Sequence, residues 1–258
     1  IKLDSSLPLQ KISDEHIHFL RPIASLRFSP NGNNDISSKD VLLNYDNVFS
    51  LNRIGTSDQV EGGDSLSMGL EFKRSDINGR DILDFKVANV LKSKENLKLP
   101  IKSKLNKTRS DIFGLVRYNF NENLKFGYDF SYDRDLEYSN LEGLNLGINL
   151  NNVFTDFYYY TTDNELGQNE TISNNTLINL NDENSLKFST TKDLIDDFTE
   201  FYNLTYSYVT DCISINLNYN KSFYRDGILK PNESLSFLIK IIPFTELGVP
   251  NLGDLINQ

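Results

Sequence analysis

Apolar and polar residues alternate along most of this chain. Leu66, Met68, Leu70 and Phe72 interleave with Ser67, Gly69, Glu71 and Lys73, which on a strand sets one apolar and one polar face back to back. The clearest case runs through Leu124, Phe126, Tyr128, Phe130 and Tyr132 against Lys125, Gly127, Asp129, Ser131 and Asp133. No helix has that period. The same pattern predicts strands over 82–90, 112–120, 144–150, 153–162, 176–180, 186–190, 202–209, 213–219 and 235–244. Before them come a short strand ending at Pro8 and one over 19–28, interrupted by Pro22. Proline lacks a ladder donor, so this second strand is expected at an edge, at a bulge, or entered at that point. Turn residues separate the strands: Asn151-Asn152, 181–184, Thr210-Asp211 and Asp226-Gly227.

About twelve strands of about 8 to 11 residues have the length to cross a bilayer at a tilt. Many turns are very short and others long, and Tyr and Phe, 13 and 17 in number, gather at strand ends as interfacial girdles do. These features favour a single antiparallel transmembrane β-barrel domain over 1–258. A soluble β-sandwich binding module shares the alternation alone, and a small porin or barrel enzyme shares the strands. Two segments stand apart: a long inserted loop at about 31–63 and a short C-terminal tail at about 245–258. Connections of more than thirty residues are uncommon without a purpose or a partner.

Composition changes the picture little. The chain is 38% hydrophobic and 24% charged, which reads as soluble, yet barrel strands hide half their residues on a polar face. A formal charge of −10 with no basic stripe argues against nucleic acid. No segment reaches the apolar length of a helical span, and the N-terminus IKLDSSLPLQ lacks the regions of a signal peptide. The expectation is a mature start or a fragment. Cys212 is the one cysteine, so no internal disulfide forms, and a small side chain on a strand is the ordinary reading. Sequons at Asn169, Asn174, Asn203 and Asn232 carry no weight in so Asn-rich a chain.

Candidate chemistry centres on the long loop. Arg53, Asp58 and Glu61 form either an ion-paired network that anchors the loop or the lining of a lipid-headgroup path. Anchoring is favoured, because a loop that leaves water needs internal partners. Phe49, Gly55, Gly62 and Gly63 belong to the same anchoring set. His16 and His18 share one strand face, but two ligands without a third make a weak metal site. Asp133, Asp135, Glu137, Asp196 and Asp197 either hold divalent cations or, as short acidic runs more often do, line solvated loops. Serines abound, but no spacing nominates a nucleophile with a base and an orienting group, so no catalytic residue and no cofactor is expected.

Two stretches, HFLRPIASLRFSPN and residues 47–70, resemble the LptD family of outer-membrane lipopolysaccharide-assembly proteins. The matching features are Pro22-Ile23-Ala24, Pro30-Asn31, Asp40, Asn47-Val48-Phe49, Arg53, Gly55, Asp58, Glu61-Gly62-Gly63 and Gly69-Leu70. The glycine after Arg53 stands one place early, and Gln59 replaces a common arginine. These motifs cover about the first 70 residues, and the remainder agrees only as barrel strands. The resemblance implies a larger protein, with this chain as the C-terminal half of a barrel about twice as large. It implies lipopolysaccharide as cargo, a plug lipoprotein of the LptE type, a periplasmic LptA-type bridge reached through an N-terminal domain, and contact with outer-membrane lipid. It also implies lateral exit through a weak seam, with Leu235, Phe237, Ile239, Ile241 and Pro243 on the lip that meets a strand outside this chain. A cysteine pair late in the barrel is common in the family; only Cys212 stands here, which leaves a disulfide to a segment outside this sequence open.

Overall fold

The structure is a computed structural model that describes residues 1–30, 32, 34–38, 43–55, 61–102, 104–164, 167–223, 232–241 and 245–249. Among these residues there are fifteen strands and no helix. They are β1 (Lys2–Ser6), β2 (Leu9–Ile12), β3 (His16–Ser29), β4 (Gly63–Asp76), β5 (Asp81–Lys92), β6 (Ile112–Asn119), β7 (Leu124–Tyr132), β8 (Ser139–Leu150), β9 (Val153–Asn164), β10 (Gly167–Asn179), β11 (Asn184–Asp193), β12 (Phe198–Val209), β13 (Ile213–Ser222), β14 (Asn232–Ile241) and β15 (Thr245–Val249). From β3 onward each is bonded to its neighbour in chain order, an antiparallel meander, while β1 and β2 both pair with β3. The chain divides into two compact units, 1–144 with 160–169, and 145–159 with 170–258.

In the first unit, pleat alternation sends odd-numbered residues of β3 and β4 to one face, where Ser25, Arg27, Ser65 and Ser67 are buried. Even-numbered Leu26, Phe28 and Met68 are exposed on the other. The buried face, here called inner, is covered by the connections 30–62 and 93–111. Ile36, Leu43, Tyr45, Val48 and Ile54 from the first, with Leu99 and Leu105 from the second, pack on Ala88, Val90, Phe113 and Leu115 of the wall. A wall whose core is supplied by its own loops is a plugged wall. The β6–β7 register puts Phe126 opposite Tyr118 and Phe130 opposite Gly114, while Arg117 and Asp129 ion-pair at 2.7 Å on the inner face. Phe126 and Asp129 thus lie on opposite faces, as the alternation predicts.

In the second unit, β12 and β13 set a largely apolar face against one built mainly of amides and hydroxyls. Leu204 pairs Tyr219, Tyr206 pairs Leu217 and Tyr208 pairs Ile215, while the alternate positions carry Asn203, Thr205 and Ser207 against Asn220, Asn218 and Asn216. In the first unit, short turns and longer connections alternate: residues 77–80 and 120–123 join β4 to β5 and β6 to β7, whereas 30–62 and 93–111 leave the other end.

Three expectations are corrected. Pro22 is on neither an edge nor a bulge: β3 lies between β4 and the β1–β2 pair. Leu7 N donates to Pro22 O at 3.1 Å, so the edge of Pro22 that lacks a donor faces the break at Leu7-Pro8, where β1 ends and β2 begins. The interrupted neighbour makes the proline tolerable. Strands among the described residues number fifteen rather than about twelve, and several exceed 11 residues; β10 begins at Gly167 rather than Thr176, its largely polar stretch GQNETISNNT being held by its place in the sheet between β9 and β11 rather than by apolar contrast. The tail is also shorter than 245–258, since β15 occupies Thr245–Val249.

Candidate functional site

The first loop ends in Glu61-Gly62-Gly63. Gly63, at φ +90, adopts a conformation that side chains resist and opens β4 opposite Ser29; Gly55, at φ +76, turns the chain after Arg53. These turns bring Glu61 under the inner face, fully buried, among three cations from three elements. Arg53 of the loop forks onto the carboxylate, Nε to Oε2 at 2.6 Å and Nη2 to Oε1 at 2.9 Å. Its remaining donors reach Ser67 Oγ at 2.9 Å and Ser65 Oγ at 3.0 Å, on the β4 wall. Arg27 of β3 brings Nη2 within 2.6 Å of Oε2, outside hydrogen-bond alignment and therefore an ion pair only, while its Nη1 donates to Leu51 O at 3.1 Å. Lys92 of β5 reaches Oε1 at 2.6 Å and Leu105 O at 2.7 Å. One carboxylate thus ties the first loop to β3, β4 and β5, and Lys92 ties the second loop to the same point.

The electrostatics follow from that geometry. Burial by itself would raise the Glu61 pKa; the Arg53 hydrogen bonds and the charges of Arg53, Lys92 and Arg27 outweigh it and hold the group down at about 2. Three buried cations against one anion make removal of the carboxylate costly. A second contact lies nearer the short turns. Tyr45 donates its hydroxyl to Glu71 Oε1 at 2.9 Å, and Arg21 donates from Nε to Oε2 at 2.7 Å. Phe49 packs edge-on to Tyr45 at 5.7 Å and lies over Gly69, where an added Cβ would come within 2.6 Å of its ring. Glycine there is a fit for the loop, not a flexible joint.

The second loop closes on Asp111. Its Oδ2 accepts from Asn140 Nδ2 at 2.5 Å and Ser131 Oγ at 3.3 Å, Oδ1 is buried without a hydrogen-bond partner, and burial pushes its pKa up to about 6.

Of the residues nominated from sequence, the structure brings together Phe49, Arg53, Glu61, Gly62 and Gly63, with Gly55 at the turn; Asp58 lies outside the described residues. Sequence reasoning missed Arg27 and Lys92, each an ordinary alternate residue on its strand. It also missed the second loop as a plug, although Leu99 and Leu105, apolar residues in a lysine-rich run, were a usable signal. His16 and His18 stand with ring centroids 6.3 Å apart, and no group of three metal-ligating side chains occurs among the described residues. Asp133 caps its own turn, Oδ1 accepting from Glu137 N at 2.8 Å, and Asp197 pairs with Lys192 at 2.5 Å. Cys212 is exposed in the β12–β13 turn. Leu235, Phe237, Ile239 and Ile241 line one face of β14 opposite Tyr219, Leu217, Ile215 and Ile213. Where the expectation put a strand outside this chain on the second edge of β14, Phe237 through Ile241 pair with Val249 through Thr245 of β15. Pro243 lies outside the described residues.

A meander of long amphipathic strands, which in the first unit is joined by short turns at one end and covered by long loops from the other, defines an outer-membrane type of all-β protein. The family model described as LPS transport system D, LptD, matches residues 1–192, and the chain belongs to that family. Its members are lipopolysaccharide-transport components of the outer membrane rather than enzymes. No curated protein matches the sequence. Among solved structures, a mutant of the Rh. blastica porin is similar at TM-score 0.41 and 9% identity, covering 96% of this chain and 93% of the porin. A triple mutant of the same Rhodopseudomonas blastica porin is similar to the same degree, TM-score 0.41 at 9% identity over 96% and 93% of the two chains.

Proposed function

We propose that this chain forms wall and plug of an outer-membrane translocon that inserts lipopolysaccharide into the outer leaflet through a lateral seam of its barrel. The observation that carries the reading is the Glu61 clamp, which commits two connections to the inner face of β3–β6 instead of leaving an open pore. A small porin needs a water path there; a translocon that releases its cargo sideways needs the wall sealed. The partners that fit are lipopolysaccharide itself, a plug lipoprotein of the LptE type and a periplasmic LptA-type bridge. Because Phe237–Ile241 of β14 pair with β15, the lip of the seam at this end of the ladder includes β15, whose second edge has no partner among the described residues.

Depletion of the protein in its own cell tests this. Surface-exposed lipopolysaccharide should fall while newly made lipopolysaccharide accumulates behind the outer membrane. Undiminished surface lipopolysaccharide with reduced uptake of small solutes would instead make the protein a porin.

A further inference from the structure

The outer face of the first unit carries a basic patch at its short-turn end that nothing in the clamp uses. Lys11 of β2 pairs with His18 of β3, and His18 pairs with Arg74 of β4, so the three stand in one row across three strands. By pleat they share the face on which Leu26, Phe28 and Met68 are exposed. His16 lies one step nearer the turns on the same face. Arg74 Nη2 stands 2.9 Å from His16 Nε2; a guanidinium only donates, so the imidazole nitrogen is the acceptor of that contact. Arg74 Nε is buried without a hydrogen-bond partner, and among the described residues neither Arg74 nor Lys11 enters an ion pair, Glu15 approaching His16 only, at 4.0 Å. Two uncompensated cations and an unsatisfied guanidinium N–H on a membrane-facing surface call for an anionic acceptor.

Position says which anion. Arg74 stands two residues inside the end of β4, roughly 7 Å along the strand at about 3.3 Å per residue, which is headgroup depth. Inward of the row come Leu9, Leu20 and Phe72, with Phe72 6.1 Å from the His18 ring. Beside it Tyr118 and Phe120 meet edge to face at 4.4 Å, the amphipathic belt of an interface. At the opposite end of the same strands the outward residues are Leu26, Phe28, Leu66 and Leu91 with Asp64, so the basic charge belongs to one leaflet. We propose that Lys11, His18 and Arg74, with His16 holding the guanidinium in place, bind the phosphate of an anionic phospholipid headgroup in the leaflet at the short-turn end. The proposal rests on the outer-membrane reading above.

The test is lipid retention. The purified protein, inserted into nanodiscs of phosphatidylcholine containing a minority of phosphatidylglycerol, is released and its bound lipids are counted by native mass spectrometry. Phosphatidylglycerol should be retained in preference to phosphatidylcholine. Each of Arg74→Gln and Lys11→Gln should weaken retention about fivefold, as expected for about 1 kcal/mol per basic residue at a membrane surface. Lys125→Gln, a cation at the same end on the inner face, should change nothing. Equal retention of both lipids, or retention unchanged in the Arg74→Gln, Lys11→Gln double variant, overturns the proposal. Inorganic phosphate alone, if it binds and is lost in the same variants, replaces the lipid with a free anion and overturns it too. A chain that fails to insert into bilayers removes the outer-membrane reading itself, and this ligand with it.

Discussion

Glu61→Gln is the most informative perturbation of the clamp, since it keeps the volume of the side chain and removes only the charge. Two routes give its size. The carboxyl is held at about 2 against an ordinary 4.5, and at about 1.4 kcal/mol per pKa unit that difference corresponds to about 3 kcal/mol. Removing one partner of a buried ion pair costs about 3 to 5 kcal/mol, here with Arg27, Arg53 and Lys92 all left without their anion. The pH signature has a definite sign. A carboxyl whose folded pKa lies below its unfolded value stabilises fully above about 4.5, and the contribution drains away as pH falls toward about 2. The chain has no tryptophan, so urea unfolding in detergent micelles is best followed by circular dichroism, with hydrogen exchange at Ser65 and Ser67 reporting release of the loop. The wild type should lose stability steeply between pH 4.5 and 2, while the Gln variant starts lower at pH 7 and shows little of that slope. Asp129→Asn, which breaks the partly exposed pair with Arg117, should cost about 1 kcal/mol or less. An unchanged midpoint and unchanged loop protection in Glu61→Gln at pH 7 would refute the clamp.

Arg53→Ala should leave Glu61 facing Arg27 and Lys92 without its bidentate partner and lower the yield of mature, heat-modifiable protein; normal yield counts against loop anchoring. Gly69→Ala should cost about 1 to 3 kcal/mol by driving a methyl into the Phe49 ring, and Phe49→Leu in the same chain should recover part of the loss, which thermal melts of the four variants in the cycle would measure. Asp111→Asn should stabilise the protein above pH 6: a carboxyl raised from 3.8 to about 6 withdraws up to about 3 kcal/mol as pH climbs through that window, and the amide has nothing to ionise. A wild-type stability that stays flat from pH 4 to 7 would remove Asp111 as the cause.

The strands were legible where their two faces differ chemically and illegible where they do not. Residues 124–132 announce themselves because Phe and Tyr oppose Lys, Asp and Ser, and the observed β7 has the same bounds. The first half of β10 does not, since Gln168, Asn169, Ser173 and Asn174 are polar on either side of the backbone and the stretch is held by its place between β9 and β11. In the site, Arg53 and Glu61 were legible because they sit in a glycine-bearing loop too long to be slack. Arg27 and Lys92 were not: each is an ordinary basic residue of a strand that carries another, Arg21 or Lys86, and only the register of β3 to β4 and β4 to β5 brings them to one carboxylate. Long-range pairing is the information a local pattern lacks.

The two units also show why one polar face needs a plug and the other does not. In the first, the inner face presents Arg27 and Lys92, full charges whose burial is tolerable only if each finds an opposite charge or a carbonyl. The loops supply Glu61 with its partner Arg53, Leu51 O and Leu105 O, so cover and charge depend on each other. In the second, Asn203 donates to Asn218 at 2.9 Å, Thr205 donates to the same oxygen at 2.8 Å and Ser207 donates to Asn216 at 2.7 Å. Amides and hydroxyls satisfy one another along the ladder and can meet water without a partner loop. The abundance of Asn in the second half of the sequence is therefore the chemistry of a polar wall whose groups satisfy one another, and the arginines of the first half are the chemistry of one that has been closed.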